Sequence, residues 1–511
     1  MKRIIKKESS FLRRNLFKII FLTVFLGICF ILGAWYQLHN DIGFTSDISR
    51  DFLLFREIDV KKIILIGPRS SVSGLYHGPL WLYLNYPAYL IGQGNPVVVG
   101  WYWILLSAVF LVSCFFVARK LFGRNTAFAF LLFMAVYTGF HSSGLFNPHG
   151  AYFLMPVFFY VLYSYLKTGL LKYLLLTAVS TGLMIQFQIA IGLPYLILVF
   201  LLVLIFSVRH KKYLYPVVFF GVITLMISNF ILFEIKHDFL ITNGVLRFAR
   251  DNSFAEKVDL SVILKDRLSF LYAYPEIMHE NPYNLSRLVN IIFVLFALLS
   301  LRLKKFRGQY LLLMYLYVGY AVLSIINVGP ILYFYQFPQF VLVFLFFCSF
   351  IDLYPKFIFK AIFTLILVYN LAISIRNASF YGVTNGVKLD SWKILYEADK
   401  KIYDSEKQDF GYFVFAPDSL GYTPKYVMLY LDRVYKGKGH YFQKLPITYI
   451  VSEPHKLFKD EWWRKHDLQI TQEPVFSLTY PNGYKVEKFL LTDEQIKTPF
   501  DPSIDPGISF R

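Results

Sequence analysis

Asp47, Arg50 and Asp51, within FTSDISRDFLLFREI (44–58), are the residues whose types and spacing best fit chemistry. Asp47 and Asp51 stand four apart, so a helix puts both carboxylates on one face, where Arg50 can pair with either. A carboxylate so placed can take a proton from an attacking hydroxyl, and a nearby cation can stabilise charge building on a leaving group. The ordinary alternative is capping: Thr45 and Ser46 precede Asp47, and an acid in the first turn meets the positive end of the helix.

Further cations follow on the same segment: Lys61, Lys62, Arg69 in GPRSS and His77 in GLYHGPLWLY. Arginine matches a phosphate with two parallel donors, and at headgroup depth it can grip a lipid phosphate. Snorkelling and plain headgroup contact compete with that reading. Asn147-Pro148 reads first as a helix start, because proline there loses no hydrogen bond. Gln186 and Gln188 fall in or beside an apolar run, where amides either tie helices together or meet a ligand. Tyr333, Tyr335 and Gln336 either anchor a membrane edge or line a lipid groove. Cys29, Cys114 and Cys348 all lie in apolar runs, so they staple no exterior domain and form no zinc spacing.

The elements that must position these groups are mostly apolar. The chain has 511 residues, 56% hydrophobic, with 54 Phe and 38 Tyr and a mean hydropathy of +0.50; this exceeds what a water-soluble core needs. The net charge of +19 would suggest nucleic acid in a soluble protein. Here it is confined to short patches around Lys2–Lys18, Arg119–Arg124, Lys167–Lys172, Arg209–Lys212, Arg302–Arg307 and Lys356–Lys360. Their twenty-one cations share those patches only with Glu8 and Asp352, which accounts for the whole excess. The charge is therefore topological, following the positive-inside rule, and nucleic acid is excluded as a partner.

Between the patches, runs of about 20 residues suit a bilayer core of ~30 Å. Spans are expected near 16–36, 97–118, 125–141, 150–166, 171–187, 189–207, 213–233, 288–301, 309–327, 331–351 and 358–375. The chain reads as a polytopic α-helical membrane protein of about eleven spans, N-terminus inside, with a C-terminal extracytoplasmic α/β domain. The first run is too long for a signal-peptide core and is read as a retained span. Exterior segments are expected at 37–96, at 234–287 as a charged loop, and at 376–511 as a soluble domain beside a membrane domain of 1–375. In that soluble domain Trp392, Leu395, Tyr396 and Ile402 have helical spacing, FGYFVFA and ITYIVS read as strands, and VFSLTYPNGYKVEKFLL as a hairpin turning at Asn482-Gly483.

Several motifs in order carry a resemblance. Phe-x-x-Asp at 44–47 precedes an amphipathic helix; GPLWLYL follows, RKLFGRN closes span two, FNPHGAYFLMP opens span four, GLMIQFQIA lies in span five and LYFYQFPQF opens span ten. Over residues 16–375 this resembles the GT-C superfamily of membrane glycosyltransferases, nearest the protein O-mannosyltransferase and lipid A aminoarabinose transferase group (family 39-like). The resemblance implies transfer of a sugar from a polyprenyl- or dolichyl-phosphate carrier to an acceptor hydroxyl on the outer face of the cytoplasmic membrane, the acceptor being a glycan, a lipid or a protein. It assigns the base, or acceptor-binding acid, to Asp47, with single displacement inverting the anomeric centre. Ile48 stands where relatives often carry a second acid, and Asp51, the next carboxylate, is taken as the second catalytic candidate beside Asp47. Arg69 is then expected on the carrier phosphate, helped by Lys61, Lys62 or His77, with Arg50, Asn147, His149, Gln186, Gln188, Tyr333, Tyr335 and Gln336 as further substrate contacts. Asn147, Pro148 and His149 occupy a place where many relatives bear an acid, so no divalent metal and no other cofactor is expected.

Two other functions compete: a flippase or transporter of a lipid-linked substrate, and a non-catalytic envelope scaffold. Paired interrupted helices and mid-span ionisable residues, which transporters tend to carry, are not evident.

Overall fold

The computed structural model describes residues 2–70, 74–139, 142–250, 260–273, 276–280, 283–326, 332–383, 390–416, 420–455 and 460–502. The chain opens with α1 (Lys2–Gly33), the single turn α2 (Trp35–Leu38), α3 (Ser46–Lys61) and α4 (Leu80–Ile91). There follow α5 (Pro96–Leu121), α6 (Arg124–Thr138), α7 (Pro148–Thr168), α8 (Leu171–Phe187), α9 (Ile189–Arg209), α10 (Tyr215–Met226) and α11 (Ser228–Lys236). Next are α12 (Leu240–Arg250), α13 (Leu260–Ala273), α14 (Tyr283–Ser300), α15 (Arg307–Leu323), α16 (Phe337–Leu353) and α17 (Phe357–Val383). The C-terminal part runs α18 (Trp392–Ser405), β1 (Phe410–Phe415), α19 (Tyr422–Val434), β2 (Gly439–Tyr441), β3 (Ile447–Ser452), α20 (Asp460–His466), β4 (Phe476–Thr479), β5 (Lys485–Leu490) and α21 (Asp493–Lys497).

Helices stand at all eleven positions read as spans. Among the described residues four are long and apolar enough to cross a bilayer, Pro96–Leu121, Ile189–Arg209, Tyr333–Leu353 and Phe357–Ser379, and a fifth if α10 and α11, bent by 58°, act as one. Large apolar side chains remain outward on these helices, among them Val109 and Leu365, as lipid-facing surfaces require. Segment 234–287, expected as a charged loop, instead carries α12 and α13; α12 is strongly amphipathic, and its apolar side gives it something to bury.

The chain divides into two compact units. A helical unit holds Met1–Trp35, Leu65–Trp81 and Trp103–Ala378; a mixed unit holds Tyr36–Ile64, Leu82–Tyr102 and Ser379–Arg511. Segment 37–96 contributes residues to both.

In the helical unit α16 is the most buried element, its Phe344 ring lying 4.9 Å from Phe133 and 4.6 Å from Tyr137 of α6. Asp352, an acid inside a basic patch, is explained locally. It accepts from the Thr126 backbone N–H and hydroxyl, both at 2.8 Å, and from Asn125 at 2.8 Å, so it neutralises the start of α6. Gly123 at φ +125° makes the turn that this start needs.

The mixed unit has a five-stranded sheet of order β2-β1-β3-β5-β4, parallel between β1 and both its neighbours and antiparallel beyond β3. β1 is buried along nearly its whole length, which is why FGYFVF is a continuous apolar run. Phe413, Ile450, Leu468, Ile470, Phe489 and Leu491 form one core cluster. The expected helix at 391–405, both strands and the hairpin are present; Gly483 supplies the positive φ of the hairpin turn. α18 begins at Ser391, whose hydroxyl accepts from the Ile394 N–H.

Candidate functional site

α3 buries an apolar face and, near its N-terminus, a polar corner beside it. Ile48, Phe52, Leu53, Leu54, Phe55 and Ile58 are buried, and so are Arg50 and Asp51. Arg50 donates from Nη1 to Asp47 Oδ1 at 2.6 Å, and from Nε and Nη2 to Asp51 Oδ1 at 3.2 and 2.9 Å. The three side chains differ in exposure: 46% for Asp47, against 9% for Arg50 and 4% for Asp51. Burial alone would lower the Arg50 pKa, but Asp51 and then Asp47 outweigh it and hold the guanidinium above its ordinary value. Thr45 is the N-cap but makes no side-chain capping bond, and Asp47 turns to Arg50. The geometry therefore shows a half-exposed carboxylate whose partner Arg50 is also held by a second, buried one.

The lysines lie elsewhere on this helix. Lys61 pairs with Glu57 at 2.7 Å, and Lys62, at φ +65°, donates to the Asp59 carbonyl at 2.5 Å. Fourteen helical residues separate Lys61 from Asp47, about 21 Å at the rise of an α-helix, so α3 does not bring them to one reacting centre. Asp59 instead accepts from Tyr86 at 2.6 Å and Tyr89 at 3.1 Å, joining α3 to α4. Burial, with the Asp59 carboxylate close by, pushes both phenols up to about 12.

Asp41, not singled out in the sequence, anchors the start of α18 to the segment before α3. It accepts from the Ser391 hydroxyl at 2.6 Å and the Lys393 backbone N–H at 3.0 Å. Burial raises its pKa, and those donors oppose the rise only in part. Its partner lies 350 positions away, so no local pattern marks it.

In the helical unit Arg69 is exposed at the start of a turn, bridged to Tyr76. His77 is buried, its backbone bonded to Pro68 and Gly67. Gly78 of GPLWLYL lies so near the end of α8 that a Cβ there would stand 2.6 Å from the Gln186 carbonyl and 2.7 Å from its Cα. Only glycine allows that approach. Gln186 donates to the Met226 carbonyl at 2.7 Å, at the break between α10 and α11, and to Asn229 at 2.5 Å; Asn229 in turn reaches the Leu65 carbonyl at 2.7 Å.

A second group gathers where α7 begins. Asn147 donates to Gln188 Oε1 at 2.6 Å and to the Phe187 carbonyl at 2.9 Å. The His149 ring packs 4.6 Å from Phe337, and Tyr333 packs 5.6 Å from the same ring. Tyr335 takes the Tyr320 hydroxyl on its carbonyl at 2.9 Å, and Gln336 is buried as the cap before α16. Asn147, Gln186 and Gln188 are thus engaged within the protein, while Tyr333 is open to its surroundings. Among the described residues no three His, Cys, Asp or Glu side chains converge as a metal site.

No family model matches this sequence, and no curated protein matches it. Solved structures do. ArnT from Cupriavidus metallidurans bound to undecaprenyl phosphate matches with a TM-score of 0.59 at 10% identity, covering 92% of this chain and 98% of that one. The same protein in the apo state gives 0.58 at 9% identity over the same shares. At such identity the likeness shows the fold alone: this chain is folded like ArnT.

Proposed function

We propose that this protein is a multi-pass membrane glycosyltransferase. It takes a sugar from a polyprenyl- or dolichyl-phosphate carrier and transfers it to an acceptor hydroxyl on the outer face of the cytoplasmic membrane. What supports the reading is an ArnT fold whose α3 presents a half-open carboxylate, Asp47, held by the buried Arg50.

In this reading Asp47 accepts the proton of the acceptor hydroxyl. The hydroxyl oxygen bonds to the anomeric carbon as the carbon–oxygen bond to the phosphate breaks, and the carrier phosphate leaves with that electron pair. One displacement inverts the anomeric centre. Asp51 serves to hold Arg50, so that Arg50 fixes the orientation of Asp47. Arg69, which is exposed, is assigned to the carrier phosphate, since a guanidinium suits that anion. No step in the scheme uses a metal.

The test is transfer by purified protein from a radiolabelled polyprenyl-phosphate hexose. Label reaching an acceptor in wild type and not in Asp47→Ala supports the enzyme. Label crossing vesicles without transfer would support a transporter, and neither event would leave a scaffold.

A further inference from the structure

The C-terminal segment has no catalytic signature of its own, yet its helix α19 packs along the helix that carries Asp47. Ser49, one residue before Arg50, is fully buried, and its hydroxyl lies 3.1 Å from that of Thr423 in the first turn of α19. One turn further along both helices, the Phe52 and Tyr426 rings meet at 5.1 Å. Tyr426 also donates to the Gly94 carbonyl at 2.6 Å, so a single side chain of α19 holds both α3 and the turn leading into α5. Gly421 at φ +56° starts α19 where a Cβ would stand 2.9 Å from Val414, which lets the first turn come close to β1.

We infer that Thr423 is a positioning residue for the carboxylate site: α19 sets the rotation of α3 through Ser49 and thereby aims Asp47. The C-terminal segment is then part of the catalytic unit, not an appendage that only selects an acceptor. Its catalytic meaning rests on the transferase reading above.

Two variants test it: Thr423→Val, which keeps shape and removes the hydroxyl, and Thr423→Ser, which keeps the hydroxyl. Transfer from the polyprenyl-phosphate hexose is measured beside hydrogen–deuterium exchange of the 46–58 peptide. Thr423→Val is expected to lower kcat about tenfold with KM for the donor within about twofold and to speed exchange in 46–58, because a misaimed base loses rate before binding. Thr423→Ser restores both. Wild-type kcat and exchange in Thr423→Val would overturn the inference. If wild type itself transfers no sugar, the transferase reading falls, and exchange alone decides whether α19 holds α3: unchanged exchange in Thr423→Val sinks the inference in that case too.

Discussion

Asp51 grips Arg50 from behind, one carboxylate oxygen accepting from Nε and Nη2, and leaves Nη1 to reach Asp47 at 2.6 Å. Two acids that look equivalent in sequence therefore do different work. The buried one spends its charge on the arginine, while the other keeps an edge toward water.

Asp47→Asn is expected to reduce transfer by about 10²-fold or more while leaving the fold intact, since the amide keeps shape and loses the base. Size-exclusion behaviour and single-turnover transfer check it. Full turnover in the variant would remove Asp47 from the reaction.

Asp51→Ala leaves a buried guanidinium short of its main partner, and breaking a buried pair from one side costs about 3–5 kcal/mol. Thermal unfolding in detergent should show a clear loss of stability, larger than for Asp47→Ala, whose side chain is half exposed. Equal, small losses for the two would contradict the asymmetry.

Arg69→Ala should raise KM for the polyprenyl-phosphate donor about tenfold, which is about 1.4 kcal/mol, with acceptor KM little changed. The exposed side chain makes the variant safe for folding. Unchanged donor affinity would free the phosphate assignment for another cation.

Gln186→Leu removes bonds to Met226 and Asn229. If these bonds serve as interhelical glue, stability should fall by only about 0.6–1.7 kcal/mol, with both KM values unchanged. A large rise in either KM would make Gln186 a substrate contact.

Asp399 of α18 is fully buried, and Tyr484 donates to its oxygens at 3.1 and 3.0 Å. Burial holds its carboxyl well above the usual 3.8. A folded pKa above the unfolded one means the folded chain binds the proton more tightly. Stability then falls as pH rises from the unfolded value through the folded one. The melting temperature should accordingly decline on going from acid toward neutral pH, and Asp399→Asn should make that decline shallower. An identical profile in the variant would show that the group does not titrate as its burial implies.

Helix positions were legible because span length and apolarity are local properties: α5, α9 and α16 are visible in their own residues. So were α18 and the β4–β5 hairpin, which have periodicity and a turn glycine. α12 was not, because its eleven residues stand in a charged segment whose composition hid their helical spacing. The difference between Asp47 and Asp51, the separation of Lys61 and Lys62 from that corner, and the engagement of Gln186 and Gln188 were equally hidden, since each depends on what faces the side chain.

By itself the sequence determined the run of membrane helices, the basic patches, the motif resemblance and the candidate acid on α3. Only the tertiary structure decided that residues 36–64 and 82–102 belong with 379–511 in one compact unit. The physical reason is distance along the chain. Asp41 meets Ser391 across 350 positions and Ser49 meets Thr423 across 374, and complementarity that remote leaves no trace in local spacing.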